Sequence, residues 1–181
     1  MDLILITGMP GSGKTEVADE FGKAGVPVIV MGDVIRTETR RRGLEPDSIN
    51  TKSVMLDMRQ ENGPGAVAKR CVSKLDGLES NIAAIEGCRS LSEVEVFEEY
   101  AESVKILCVH ASPSTRFKRL QNRGRKDAPL DWESFKERDL REISVGLGGV
   151  IALSDIMLVN EGTIDEIRNS TKKQVEVLKS S

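Results

Sequence analysis

The feature that most constrains this chain is a short apolar run that ends in a glycine-rich turn within the first fifteen residues. Residues 3–6, LILI, are continuous and apolar with β-branched members, which predicts a strand buried on both faces. Residues 8–15, GMPGSGKT, follow at once and match G-x-x-x-x-G-K-[ST] at Gly8, Gly13, Lys14 and Thr15. That spacing suits a phosphate chain. Gly8, Gly11 and Gly13 let the backbone turn tightly and bring N–H groups onto phosphate oxygens, with Pro10 and Ser12 completing the loop. Lys14 can reach terminal phosphates and the Thr15 hydroxyl can ligate Mg²⁺. The helix that begins near Lys14, with Glu16 in its first turn, points its positive end at the anion. A chance match in a chain of this length has odds on the order of one in a hundred. The preceding strand and the helix-forming run at 16–23 lower those odds, so a nucleoside triphosphate site is expected.

The 181 residues suit a single domain with a helical insertion. Aromatics make up only 3%, so the core must be built from Val, Ile, Leu and Ala. A net charge of −3 argues against a general nucleic-acid or membrane binder. The charge is uneven, however. Residues 111–126 hold Arg116, Lys118, Arg119, Arg123, Arg125 and Lys126 with no acid, and residues 36–42 hold four arginines and one Glu. Cys71, Cys88 and Cys108 are odd in number, widely spaced and without a CxxC pair, which suits a reducing cytosol rather than a disulfide or zinc framework. The first apolar run is too short for a signal peptide or membrane span, and a cytoplasmic protein is expected.

Residues 25–30 read as a turn and a second buried strand, making the opening a βαβ unit. Gly32, Asp33 and Arg36 sit where that strand gives way to a helix, at the strand ends where open α/β sheets bind ligands. A helix N-cap is the other reading of Asp33, and a solvated face that of Arg36. Residues 44–77 are polar, helical in pattern and broken by Pro46 and by Gly63-Pro64-Gly65. This predicts a helical insertion over 33–80 forming a wall of a second pocket, with Arg59 and Arg70 on it. Residues 81–86 are a third strand ending in Glu86-Gly87-Cys88-Arg89. A carboxylate at that tip suits Mg²⁺ or its bound water, and the following cation suits an acceptor phosphate. Ser92 and Glu95 predict a capping box for the next helix. Residues 104–110 are a fourth strand, with Ser112 and Pro113 opening the helix after it. The single histidine, His110, is expected in a structural role. The helices around 113–122 and from 131 carry Arg116, Arg119, Arg123, Arg138 and Arg141, which predicts a basic lid region over 116–142 able to close on phosphates. A solvated charged helix pair is the alternative. Trp132 is expected only to pack. Residues 156–159 are a fifth strand, and Thr163 with Glu166 caps the closing helix. Strands alternating with crossover helices predict an α/β fold, a doubly wound, mostly parallel five-stranded sheet.

At these residues the chain resembles P-loop nucleoside monophosphate kinases, and in particular an archaeal group of adenylate-kinase-related proteins. Gly32-Asp33-Val-Ile-Arg36 is similar to the Gly-Asp-x-x-Arg segment of adenylate kinases, whose arginine holds the AMP phosphate. Glu86-Gly87-Cys88-Arg89 resembles their Asp-Gly-x-Pro-Arg segment, with Glu for Asp and no proline. The resemblance implies ATP and Mg²⁺ held by Gly8, Pro10, Gly11, Ser12, Gly13, Lys14, Thr15 and Glu16, with Thr15 and Glu86 toward the metal. It implies an AMP-like acceptor held by Asp33, Arg36, Arg59, Gly87 and Arg89. Lys14, Arg119, Arg123 and Arg138 would stabilise the phosphoryl group in transfer. Residues 25–29, Asp33 and residues 154–163 also resemble segments of dephospho-coenzyme A kinases, although Met31 stands where that family has its first strand-end Asp. There a hydroxyl would be the acceptor and Asp33 its base. A nucleotide-dependent switch with slow ATPase activity and a protein partner is the reading from a different class.

Overall fold

The computed structural model describes residues 1–124 and 128–180. Arg125 and Lys126, part of the basic segment, lie outside the described residues. Five strands, β1 (Asp2–Thr7), β2 (Val28–Val30), β3 (Ile82–Glu86), β4 (Ser103–His110) and β5 (Ile156–Val159), form one sheet in the order β2-β3-β1-β4-β5. Every pairing is parallel, so all strands end on the same edge of the sheet. The helices between them are α1 (Lys14–Lys23), α2 (Met31–Arg41), α3 (Ser48–Asn62), α4 (Ala66–Leu75) and α5 (Leu91–Tyr100). Beyond β4 come α6 (Pro113–Asn122), α7 (Trp132–Ser144), α8 (Leu147–Ala152) and α9 (Ile164–Lys179).

The continuous apolar runs are explained by burial on both faces. Leu3 and Leu5 of β1 and Ala83 and Ile85 of β3 point into one apolar cluster with Val54, Met58, Val67, Cys71, Leu75 and Phe97. Their neighbours Ile4, Ile6 and Ala84 point into the other, with Val17, Phe21, Ile167 and Leu178. One side is therefore closed by α2 to α5, the other by α1 and α9. The expected helical stretch over 33–80 is built from α2, α3 and α4, and their inner faces share the core of the sheet.

Caps set several boundaries. Ser112 accepts from the Thr115 N–H with Pro113 at the start of α6, and Thr163 and Glu166 form the expected capping box on α9. The cap of α5 differs from expectation. It is Ser90, which accepts from the Glu93 N–H, and not the Ser92–Glu95 pair. The pattern S-x-x-E occurs twice here, two residues apart, and the earlier one wins because Glu93 is then turned inward. It is 2% exposed and accepts from the Arg89 N–H at 2.8 Å and from Arg59 at 3.0 Å. Asp33 does not cap α2, which has no side-chain cap.

The arginine run at 36–42 is largely self-contained. Buried Glu38 takes two hydrogen bonds from Arg41 at 2.7 Å and one from Arg42 at 3.0 Å, and the Arg41 bonds hold its carboxyl down to about 2. Glu16, expected with the phosphate loop, instead turns its carboxylate to Arg168 of α9 at 2.9 Å. Its side chain serves α1–α9 docking, while its backbone N–H donates to the Gly13 carbonyl of the loop at 3.1 Å. No helix among the described residues is long and apolar enough to cross a membrane.

Phe21 is fully buried between α1, the sheet and α9. Phe21→Ala is expected to destabilise the protein by about 3–5 kcal/mol in chemical denaturation. A loss below about 1 kcal/mol would show that this aromatic does not close that face.

Candidate functional site

The loop between β1 and α1 lies where the chain reverses direction across the sheet: β1 is flanked by β3 on one side and β4 on the other. That is the topological switch point, where a crevice opens at the strand ends. Gly8, Gly11 and Gly13 all have positive φ. Gly8, at φ +140°, lies so close to the Val109 carbonyl of β4 that any side chain would collide with it. Gly13, at φ +102°, is met in the same way by the Asn160 side-chain nitrogen. The loop is thus seated by its neighbours as well as shaped by its glycines. Asn160 donates from that nitrogen to the Ser12 carbonyl at 2.8 Å. The Ser12 hydroxyl is buried without a hydrogen-bond partner among the described residues. A cradle admitting only backbone, with an unpaired hydroxyl in its wall, fits a phosphate chain.

Lys14 folds back over this cradle and donates to the Gly8 carbonyl at 2.7 Å and the Met9 carbonyl at 3.2 Å. Burial, and next the Arg89 guanidinium, hold its ammonium down to about 8 from 10.5. Arg123 acts in the same direction, while Glu86 and Glu142 oppose it. Register explains why Glu86 is present. It pairs with Ile6 of β1 and Val30 of β2, so its carboxylate stands level with the start of the loop. Thr15 donates from its hydroxyl to Glu86 at 3.2 Å. These two oxygens, one from the first turn of α1 and one from the end of β3, are the pair that could hold a divalent cation against a phosphate. No cluster of three His, Cys, Asp or Glu side chains suited to a metal occurs among the described residues.

At the end of β3, the Gly87 N–H donates to the Ile6 carbonyl and the Thr7 hydroxyl donates to the Cys88 carbonyl at 2.8 Å. Arg89 follows, half exposed, and pairs with Glu142 of α7 at 3.3 Å. At the end of β2, Arg36 lies over Gly32 and grips Asp33 at 2.6 and 3.0 Å. Parallel strands with these tips put Arg36, Arg89, Glu86 and Lys14 along one edge of the sheet. Arg59 differs from expectation. Its guanidinium is only 17% exposed and is engaged by Glu93, so it braces the Arg89 segment instead of extending toward a ligand.

The basic hairpin also resolves into separate jobs. Arg116 is 3% exposed and donates to the Ala111 and Pro10 carbonyls at 3.1 and 3.2 Å and to Asp139 at 2.8 and 2.6 Å. It also lies 5.0 Å from the centre of the Phe135 ring. Phe117, Trp132 and Phe135 pack with ring centres 5.1–5.4 Å apart and finish the α6–α7 joint. Arg119, expected at the transferred phosphoryl group, donates to the Asn160 carbonyl and side-chain oxygen at 3.0 and 3.2 Å. Its charge is spent holding the residue that holds Ser12. Arg123 ends α6 and faces Lys14 electrostatically, and Arg138 is half-buried on α7. His110 is exposed, and its contribution is its carbonyl, which accepts from the Asn160 N–H at 2.7 Å. The contacts of Asn160 with the loop and of Glu142 with Arg89 are not legible in the sequence. Asn160 carried a signal in following the last strand directly; Glu142 carried none.

With this geometry in hand, comparison with known proteins is informative. A family model described as an AAA domain matches residues 4–141. A UPF0200 protein of Hyperthermus butylicus is 47% identical over 171 residues, covering 94% of this chain and 91% of that one. Another, from Thermococcus kodakarensis, is 46% identical over 178 residues and covers 96% of each. The chain belongs to the UPF0200 family. Solved structures related to this UPF0200 chain share its fold at low identity. A Thermus thermophilus protein, TT1252, superposes with a TM-score of 0.68 at 19% identity, covering 97% of both chains. A shikimate kinase from Bacteroides thetaiotaomicron gives 0.61 at 16% identity and covers 98% of both. A gluconokinase from Sinorhizobium meliloti gives 0.57 at 14%, covering 98% of this chain and 93% of that one. The five-stranded parallel sheet flanked by helices is the P-loop kinase fold.

Two outcomes follow. A polyphosphate entering the cradle raises the Lys14 pKa, so above about 8 the free protein must take up a proton to bind it. Calorimetric affinity for a nucleoside triphosphate is therefore expected to be flat from pH 7 to 8 and to fall by up to about tenfold per unit above that. A flat profile to pH 9.5 would contradict it. Asp139→Ala leaves the buried Arg116 uncompensated and is expected to cost about 3–5 kcal/mol in denaturant unfolding.

Proposed function

We propose that this protein transfers a phosphoryl group from Mg·ATP to a nucleoside monophosphate, with AMP the first candidate. The observation that carries the reading is the contact between Thr15 and Glu86 beside the phosphate loop, with Arg36 and Arg89 at neighbouring strand tips. The loop amides from Gly8 to Thr15 and the Lys14 ammonium would hold the donor phosphates. Thr15 and Glu86 would hold Mg²⁺, directly or through its water; the ion, when bound, neutralises charge on the phosphate oxygens. Arg36 and Arg89 would exchange their present carboxylate partners for the acceptor phosphate.

An oxygen of the acceptor phosphate then attacks the terminal phosphorus of ATP. The bond from that phosphorus to the bridging oxygen breaks, and ADP leaves with the electron pair. The acceptor is already ionised near neutral pH, so the residues supply alignment and charge, not a strong base. Lys14, Arg123 and Arg138 are the cations proposed for the migrating charge. Arg119 supports them through Asn160.

A second reading has a specific observation behind it. Shikimate kinase and gluconokinase share the fold, and Asp33 stands at the same sheet edge as a candidate base for a hydroxyl acceptor. Its present partner is Arg36, which favours the phosphate reading. A slow ATPase switch with a protein partner would keep the same nucleotide contacts without acceptor turnover.

Phosphorus NMR with Mg·ATP and AMP is expected to show two ADP formed per AMP consumed. Arg36→Ala and Arg89→Ala are each expected to lower kcat/KM for the acceptor by about 10- to 100-fold while ATP still binds. Unchanged acceptor kinetics in both variants would sink the assignment. Free phosphate released regardless of acceptor would favour the switch, and loss of all turnover in Asp33→Asn with a hydroxyl acceptor would favour the second reading.

A further inference from the structure

We propose that Glu142 is a positioning residue for the acceptor site: it holds Arg89 in the ligand-free chain, so that an acceptor phosphate and α7 compete for one guanidinium. This rests on the reading of Arg89 as an acceptor-binding residue. One Arg89 nitrogen lies 3.3 Å from both carboxylate oxygens of Glu142. The carboxylate is well covered, 16% exposed, whereas Arg89 is 47% exposed and open to a ligand.

The surroundings leave the Arg89 side chain as the part free to move. Its backbone N–H is fixed by Glu93 at 2.8 Å, and Glu93 is fixed in turn by Arg59 at 3.0 Å. Changing partner therefore requires rotation of the arginine side chain and no rearrangement of β3. On α7, Asp139 and Glu142 are three residues apart and share a face. Asp139 ties the helix to Arg116 and thereby to the Pro10 carbonyl of the phosphate loop. Glu142 ties the same helix across the crevice to the tip of β3. One helix thus bridges the donor loop and the acceptor edge, and only the Glu142 tie is in a position to yield to a ligand. A phosphate dianion offers Arg89 more charge than a carboxylate does and can be gripped by both arms of the fork. Competition with a partly exposed ion pair should weaken acceptor binding by about two- to fivefold.

Trp132, the single tryptophan of the chain, opens α7 and packs edge-on against Phe117 at 5.2 Å, so its emission reports displacement of this helix. Wild type, Glu142→Gln, Glu142→Asp, Arg89→Ala and the Arg89→Ala/Glu142→Gln double variant would be compared by fluorescence, calorimetry with AMP, and steady-state kinetics. In Glu142→Gln the ligand-free emission is expected to move toward that of AMP-bound wild type. Its AMP dissociation constant and KM should fall about two- to fivefold with no rise in kcat, and Glu142→Asp should behave as wild type. In the Arg89→Ala background, Glu142→Gln should add nothing to the emission change. Unchanged emission and AMP affinity in Glu142→Gln would overturn the proposal while leaving the acceptor reading intact. If AMP binds none of the proteins, the acceptor reading for AMP fails. The tie between Glu142 and Arg89 is then judged by hydrogen exchange of α7 without ligand: faster exchange in Glu142→Gln and in Arg89→Ala supports it, and unchanged exchange overturns it.

Discussion

A single buried guanidinium organises the working edge of this protein. Arg116 sits beneath the phosphate loop and satisfies the Pro10 carbonyl from below, the Ala111 carbonyl at the end of β4, and both oxygens of Asp139 on α7. A charge this deep is tolerable because each of its three nitrogens donates to an acceptor and Asp139 balances it. An apolar pair of equal volume would offer comparable burial, but it would not specify where the loop, the end of β4 and α7 must meet. The Phe135 ring on one side of the guanidinium excludes water and completes the enclosure. The position of α7, and with it the reach of Glu142 to Arg89, depends on this contact.

Around that anchor the site is assembled from elements distant in sequence, each held by a neighbour that does no chemistry. Asn160, at the end of β5, pins the Ser12 carbonyl and is pinned by Arg119. Glu93 secures the Arg89 backbone and is secured by Arg59. In both cases an arginine is spent on stiffening a neighbouring side chain, Asn160 for Arg119 and Glu93 for Arg59. The cost is charge: among the described residues Arg36, Arg89, Arg116 and Arg119 each have a carboxylate or carbonyl partner. For Arg36 and Arg89 that partner is a carboxylate, Asp33 and Glu142 respectively.

Much of the architecture was legible because its signals are local. Continuous apolar runs fixed four of the strands to within a residue or two, and alternation with helical segments fixed the parallel connections. The second of the α5 capping patterns misled because two copies of S-x-x-E overlap and only burial of Glu93 chooses between them. The basic run shows what residue type alone leaves open. The charge density predicts a basic lid over 116–142 or a solvated helix pair, yet within it Arg116 is 3% exposed, Arg119 donates to carbonyls and Arg123 lies near enough to Lys14 to help lower its pKa. Residue type was visible; direction was not, because direction depends on which helix packs on which.

The sequence by itself determined the phosphate loop, the order of strands and helices, the strand tip that carries Glu86 and the β2–α2 junction that leads to Arg36. These depend on backbone turn chemistry and hydrophobic periodicity, which act over a few residues. Only the tertiary structure decided the partners: Asn160 against Gly13, Asp139 on Arg116, Glu93 beneath Arg89 and Glu142 across from it. Each of these joins residues brought together by sheet order or helix packing, and several lie in segments whose composition reads as solvated surface. A buried ion pair is chosen by the low-dielectric space left between packed elements, and that space exists only once the chain has folded.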